Sequence, residues 1–351
     1  MTVRYQEVKT AGKILNIYDN PDSWFWIHAS INPYRGCEHN CVYCDGKAEY
    51  YRINQFSSLI RVKTDAHRKF EKELLGYGYA TYKHPSLDNY LQTPRNEKNT
   101  KPGRIISLFA IGGGVCDVYQ PAENTFNITR KILEVVHSFG IPISILTKNS
   151  LVKRDLSLIK KINEQSYANV CFSIALKDEK ERAIFEPKSS SIYNRFETLK
   201  LMRKNHVHGG VMLMPIIPGI GDREENLRSI IKQSKENNAE FIIGGGLTLK
   251  PGKNKQEMLN TLQKHHPDLL TLYSELYGNN NKYGSPDISS RNFRNNIKIV
   301  HELCQRYKIS DKIPRYLPSY VIKKNYLIST ILHNLAYYYQ YINEYPWKKI
   351  K

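Results

Sequence analysis

Three cysteines stand within eight positions, at spacings of four and three. They are Cys37, Cys41 and Cys44, in the run Asn32-Pro-Tyr-Arg-Gly-Cys37-Glu-His-Asn-Cys41-Val-Tyr-Cys44. Three thiolates on one short loop can hold three irons of a [4Fe–4S] cube. The fourth iron then has no protein ligand and stays open to a small molecule. Two other chemistries compete for the same residues. A structural zinc site closes four ligands round its ion; only His39 is near enough in sequence to be the fourth, and no second cysteine pair exists. A redox pair needs one Cys-x-x-Cys beside a helix, which would leave the third cysteine idle.

A second place suited to chemistry lies some seventy residues on. Gly112, Gly113 and Gly114 close an apolar run that begins at Arg104. Without a Cβ, a glycine at a strand end lets a ligand approach the backbone. Cys116, Asp117 and Glu123 follow directly. Asp117 and Glu123 are candidate polar contacts of a site, or serve the start of a helix, since Pro121 reads as a first-turn proline.

Positioning these residues requires a frame, and the chain has a strand-then-helix rhythm. Short β-branched or aromatic runs begin near Phe25, Arg104, Ile141, Asn169, Gly210 and Glu240. Several are almost continuously apolar, as parallel strands covered on both faces should be. Helical spacing joins Ile128, Ile132, Val135 and Val136, then Leu156, Ile159 and Ile162, then Leu199 and Met202, and a further helix spans Asn226 to Asn237. The first connection, Asp45 to Gly103, is long enough to carry an insertion, with a helix at Ala66–Leu75. Six strands alternating with helices predict an α/β fold, a partial (β/α)6 TIM-like barrel, with its chemistry at the C-terminal strand ends. Residues 1–23 form an N-terminal segment, 24–250 the barrel, and 251–351 a C-terminal helical extension packed on it. The last helix, Lys324–Asn343, would present Ile328, Ile331, Leu332, Leu335 and Ile342 on one stripe. Cys171 and Cys304 fall within a strand and a helix and read as core.

The sequence resembles the radical S-adenosylmethionine superfamily. Its Cys-x-x-x-Cys-x-aromatic-Cys motif is matched by Cys37, Cys41, Tyr43 and Cys44. The lead-in Asn32-Pro-Tyr-Arg-Gly-Cys37 and the run Asp117-Val-Tyr-Gln-Pro-Ala-Glu123 are similar to its spore photoproduct lyase-like, "DNA repair photolyase" branch. So are Glu186-Pro187 with Arg195, and Pro215-Ile-Ile-Pro218-Gly219-Ile-Gly-Asp222. The matches span Trp24 to Lys250. The resemblance implies a [4Fe–4S] cluster on Cys37, Cys41 and Cys44, with S-adenosylmethionine on the open iron. Reductive cleavage would yield a 5′-deoxyadenosyl radical that abstracts hydrogen from a substrate. It further implies that the Gly112–Gly114 backbone meets the methionyl amino group, although Gly114 stands where the family has Glu. Tyr43 would lie near the adenine. Lys148 would meet the carboxylate, or be a solvated loop lysine; Ser173 would bond ribose or carboxylate, or face away. Arg195 would grip a carboxylate. Cys116 would donate a hydrogen atom to a product radical, or be a small buried hydrophobe.

The chain's 351 residues hold 52 Lys and Arg against 33 Asp and Glu, a net +19. With 40% hydrophobic residues a packed core is within reach, which excludes a disordered chain. Six cysteines are too sparse for a secreted disulfide scaffold. The start lacks the apolar stretch of a signal peptide, and Asn325–Asn343 is too polar for a membrane span. The expected setting is a reducing cytoplasm. The positive surplus favours acidic partners, although a chain this rich in Lys, Asn, Ile and Tyr also gains charge from composition alone. Three functions therefore compete: the radical chemistry on DNA, for instance a pyrimidine lesion; the same chemistry on a small molecule, peptide or protein; or a non-catalytic iron–sulfur sensor. The first two need an external electron donor such as flavodoxin or ferredoxin.

Overall fold

The computed structural model describes residues 2–22, 25–77, 79, 81, 108–113, 116–279, 282–286 and 291–316, with 328, 331, 332, 334–336 and 338. Near the N-terminus, β1 (Arg4–Val8) precedes β2 (Leu15–Ile17), β3 (Ala29–Ile31), β4 (Tyr34–Arg35), β5 (Leu59–Lys63) and the helix α1 (Ala66–Gly76). The alternation then begins. β6 (Phe109–Ile111) leads into α2 (Ala122–Phe126) and α3 (Ile128–Phe139), and β7 (Ile143–Thr147) into α4 (Leu156–Gln165). β8 (Ala168–Ser173) is followed by α5 (Glu179–Phe185) and α6 (Ile192–Lys204), β9 (His208–Ile216) by α7 (Glu224–Glu236), and then comes β10 (Ile242–Gly246).

The six strands read from the sequence pair in chain order, all parallel: β3, β6, β7, β8, β9, β10. β2 adds an antiparallel seventh strand beside β3. This is the mixed α/β architecture of a partial TIM-like barrel. All six residues of β8 are buried, the expected state of a parallel strand covered on both faces. Outside the sheet, α3 buries Ile128, Ile132, Leu133 and Val136 on one stripe. Each such side chain taken from water contributes about 1.5–3 kcal/mol. Arg104 to Ser107, the expected start of the second barrel strand, lie outside the described residues.

A second sheet does not show in the sequence as apolar runs. β1 pairs parallel with β5, and β5 antiparallel with β4. It belongs in part to the long first connection and delivers the chain straight into Gly36 and Cys37.

Beyond the barrel come α8 (Lys253–His265), α9 (Leu270–Tyr277) and α10 (Arg291–Tyr307). Ile297, Val300, Leu303 and Cys304 of α10 join the main core, so Cys304 is core as expected. Most of Lys324–Asn343 lies outside the described residues. Of its stripe, Ile328, Ile331, Leu332 and Leu335 are between 47% and 61% exposed. Among the described residues no helix is long and apolar enough to cross a membrane.

Candidate functional site

The cysteine loop begins where β4 ends. Gly36 has φ +92°, and a Cβ there would lie 2.6 Å from the Phe56 carbonyl oxygen; only glycine allows that approach. The loop is then clamped from several directions. Cys37 N donates to Phe56 O at 2.9 Å, and Val42 N to Phe185 O at 2.9 Å. The Gln120 amide spans the loop's first turn, donating from Nε2 to Gly36 O at 3.1 Å and accepting Glu38 N at 2.9 Å. Glu38 in turn accepts Ala122 N at 2.6 Å. Lys47 anchors the far side through Glu257 at 2.5 Å.

The three thiols are free and border one cavity of about 430 Å³. Strand alternation brings Ser144 and Leu146 of β7 to its wall, with Thr147 and Lys148 joining where that strand ends, and likewise Cys171 and Ser173 on the neighbouring strand. Gly112 and Gly113 border it at the end of β6, and Gly112 has φ +99°. Cys116 completes that corner; its Sγ lies 3.4 Å from Asn32 Oδ1. Burial pushes the Cys116 thiol up to about 12, with Asp117 adding to the shift. Burial also raises Cys37, Cys44 and Cys41, the last to about 12.

A buried charged layer supports the wall. Lys148 Nζ donates to Ser173 Oγ at 2.6 Å and stands 5.8 Å over the Tyr43 ring. Ser173 Oγ donates onward to Met214 O at 2.8 Å. The Tyr43 hydroxyl bonds Glu186, whose other oxygen meets Arg195 Nη2 at 2.5 Å. Arg195 also donates to Ser173 O at 2.7 Å and Ser190 O at 2.9 Å. Burial alone would raise the Glu186 pKa, but Arg195, Lys148 and the Tyr43 hydroxyl overcome it and hold the carboxyl at about 2.

Asp117 ties β6 to β7, accepting from Thr147 Oγ1 at 2.8 Å and Lys148 N at 2.7 Å. Glu123 sits deeper. It accepts Thr129 N at 2.9 Å at the start of α3 and pairs with Arg154 at 2.8 Å. A carboxylate there meets otherwise orphaned N–H groups, so Glu123 serves the helix and not the cavity.

The fold thus gathers Cys37, Cys41, Cys44, Gly112, Gly113, Cys116, Lys148 and Ser173 round one space. Ser173 faces that space and not away. Tyr43 and Arg195 do not border it; they form the layer behind. Gly114 lies outside the described residues. Cys171, read as core, is buried yet borders the cavity; its place two residues before Ser173 on one strand was the available signal. His39, whose spacing suits a zinc ligand, is buried in the wall as well. Gln120 was part of a recognised motif, but nothing local disclosed that it holds the cysteine loop.

The Radical SAM superfamily matches residues 31–231 of the chain. An uncharacterized protein of Mycobacterium tuberculosis is 28% identical over 253 residues, 71% of this chain and 66% of that protein, so the match spans about two thirds of the relative's length. The fold is similar to that of a spore photoproduct lyase mutant, with a TM-score of 0.58 at 14% identity, covering 86% of this chain and 79% of the other. Another mutant of that lyase, with bound AdoMet and dinucleoside spore photoproduct, aligns with a TM-score of 0.54 at 15% identity over 80% and 74% of the two chains.

Proposed function

The chain belongs to the radical SAM superfamily, and from that premise we propose that it is an enzyme using S-adenosylmethionine to open radical chemistry on a pyrimidine lesion in DNA. The observation that carries this reading is one cavity bordered by three free thiols, a strand-end glycine pair, a lysine and a further thiol. The donor set fits a [4Fe–4S] cluster: three soft ligands on one clamped loop, with no disulfide among them. Cys37, Cys41 and Cys44 would hold it, leaving one iron for S-adenosylmethionine. Together, cluster and S-adenosylmethionine supply the reductive cleavage that yields a 5′-deoxyadenosyl radical, the electron coming from an outside donor such as flavodoxin or ferredoxin.

The chain's own residues supply placement and exclusion of water. Lys148, steadied by Ser173, offers a cation to the methionyl carboxylate. The Gly112–Gly113 backbone offers close approach to the amino group. Cys116 has its proton held by burial, so at neutral pH it carries the S–H bond that a hydrogen-atom donor must have. The net charge of +19 and the likeness to a lyase bound to a dinucleoside lesion support a nucleic-acid substrate.

The test starts with anaerobic reconstitution. About one cluster per chain is expected by iron and sulfide analysis. Dithionite and S-adenosylmethionine should then release 5′-deoxyadenosine, and Cys41→Ala should abolish it. Cluster-replete protein that releases none would refute the enzyme reading and favour a sensor. Turnover of oligonucleotides carrying spore photoproduct, run beside a metabolite screen, tests the substrate; inert lesion DNA with an active metabolite would move the chemistry to a small molecule.

A further inference from the structure

His39 is a polar ring in a place that an apolar one would fill at less cost. It lies two residues from Cys37 and two from Cys41, is 1% exposed, and borders the cavity with their thiols. Among the described residues neither ring nitrogen has a hydrogen-bond partner. Asp117 Oδ2 stands 3.7 Å from Nε2, beyond hydrogen-bond reach. That carboxylate already serves Thr147 Oγ1, Lys148 N and Tyr119 N. An imidazole carries at least one N–H donor whatever its charge. A buried donor left unmet costs about 1–3 kcal/mol. The loop nevertheless holds the residue in place, its carbonyl accepting Lys188 N at 3.3 Å. An unmet donor beside three thiols calls for an acceptor inside the cavity, and a sulfur-rich cluster offers acceptors on that side.

We propose that His39 donates a hydrogen bond to sulfur of the cluster held by Cys37, Cys41 and Cys44, and so raises its reduction potential. The inference rests on the cluster reading above. Reduction adds negative charge to the cluster, and an N–H pointed at its sulfur stabilises the reduced form more than the oxidised one. His39 is therefore a tuning residue for the electron that starts the chemistry, and not an iron ligand.

The experiment compares wild type, His39→Gln and His39→Leu. Each is loaded anaerobically, matched for iron and sulfide per chain, and titrated for its midpoint potential by EPR. His39→Leu should fall to lower potential, with His39→Gln between, because Gln keeps an N–H donor. An unchanged potential in His39→Leu overturns the proposal while the cluster reading stands; wild type that loads no cluster overturns both. If His39→Leu does not load, wild type labelled with 15N-histidine decides by pulsed EPR of the reduced cluster. A weak nitrogen coupling supports the hydrogen bond. No coupling overturns it, and so does the strong coupling of a nitrogen bonded directly to iron.

Discussion

Glu186 has almost no access to solvent, yet its carboxyl is held ionised at a pKa of about 2 against an ordinary 4.5. Burial opposes that state, and Arg195 at 2.5 Å, with Lys148 and Tyr43, overrides it. The folded-state pKa lies below the unfolded one. The pair's stabilisation is thus complete above about pH 4.5 and is lost as pH falls towards 2. Glu186→Gln should flatten that part of the stability–pH curve and cost about 3–5 kcal/mol at neutral pH, because Arg195 loses its counter-charge. Denaturant unfolding at a series of pH values measures both effects; an equally steep acid limb in the variant would contradict the account. Cys116 invites a different measurement. Its replacement by Ala should leave release of 5′-deoxyadenosine intact and change the product. Identical product would remove it as the hydrogen donor. Both residues stood out in the sequence, but their partners did not. Arg195 was expected to grip a ligand carboxylate, whereas in the folded chain its guanidinium is engaged by Glu186, Ser173, Ser189 and Ser190.

Between residue and molecule stand the elements that hold the cysteine loop. Gln120 comes from the turn after β6 and pairs with the loop backbone on both sides of Cys37. Gln120→Leu would leave Glu38 N–H and Gly36 C=O buried without partners, at about 1–3 kcal/mol for each group. The expected outcome is a lower melting temperature together with less iron retained per chain; iron binding undiminished would show that the loop holds its shape alone. The barrel strands were legible for a plain reason. A parallel strand is covered on both faces, so its sequence is an apolar run, as in Asn169-Val-Cys-Phe-Ser. The small sheet was not legible. β1 is mostly exposed and β5 alternates buried with half-buried residues, so Arg4, Glu7, Arg61 and Lys63 interrupt any apolar run. These strands owe their pairing to tertiary contacts that propensity does not report.

For the molecule as a whole the governing quantity is a net charge of +19. If the substrate is DNA, affinity for lesion-bearing duplex should fall steeply between low and moderate salt, since each neutralised phosphate releases counterions. Fluorescence anisotropy across a salt series measures the slope, and binding that ignores salt would count against a DNA substrate. The order of residues was enough to pick out the three candidate cluster cysteines and the succession of six strands. Both are local: a loop of eight residues contains the whole thiol spacing, and a strand's burial is written in its own side chains. The use made of the remaining groups had to wait for the folded chain. Tyr43 meets Glu186 across 143 positions, and Glu38 meets Gln120 across 82. Partners that far apart leave no mark on any short stretch of chain, so whether Ser173 and Cys171 border the cavity, Arg195 backs it, or His39 is left wanting an acceptor is settled by packing alone.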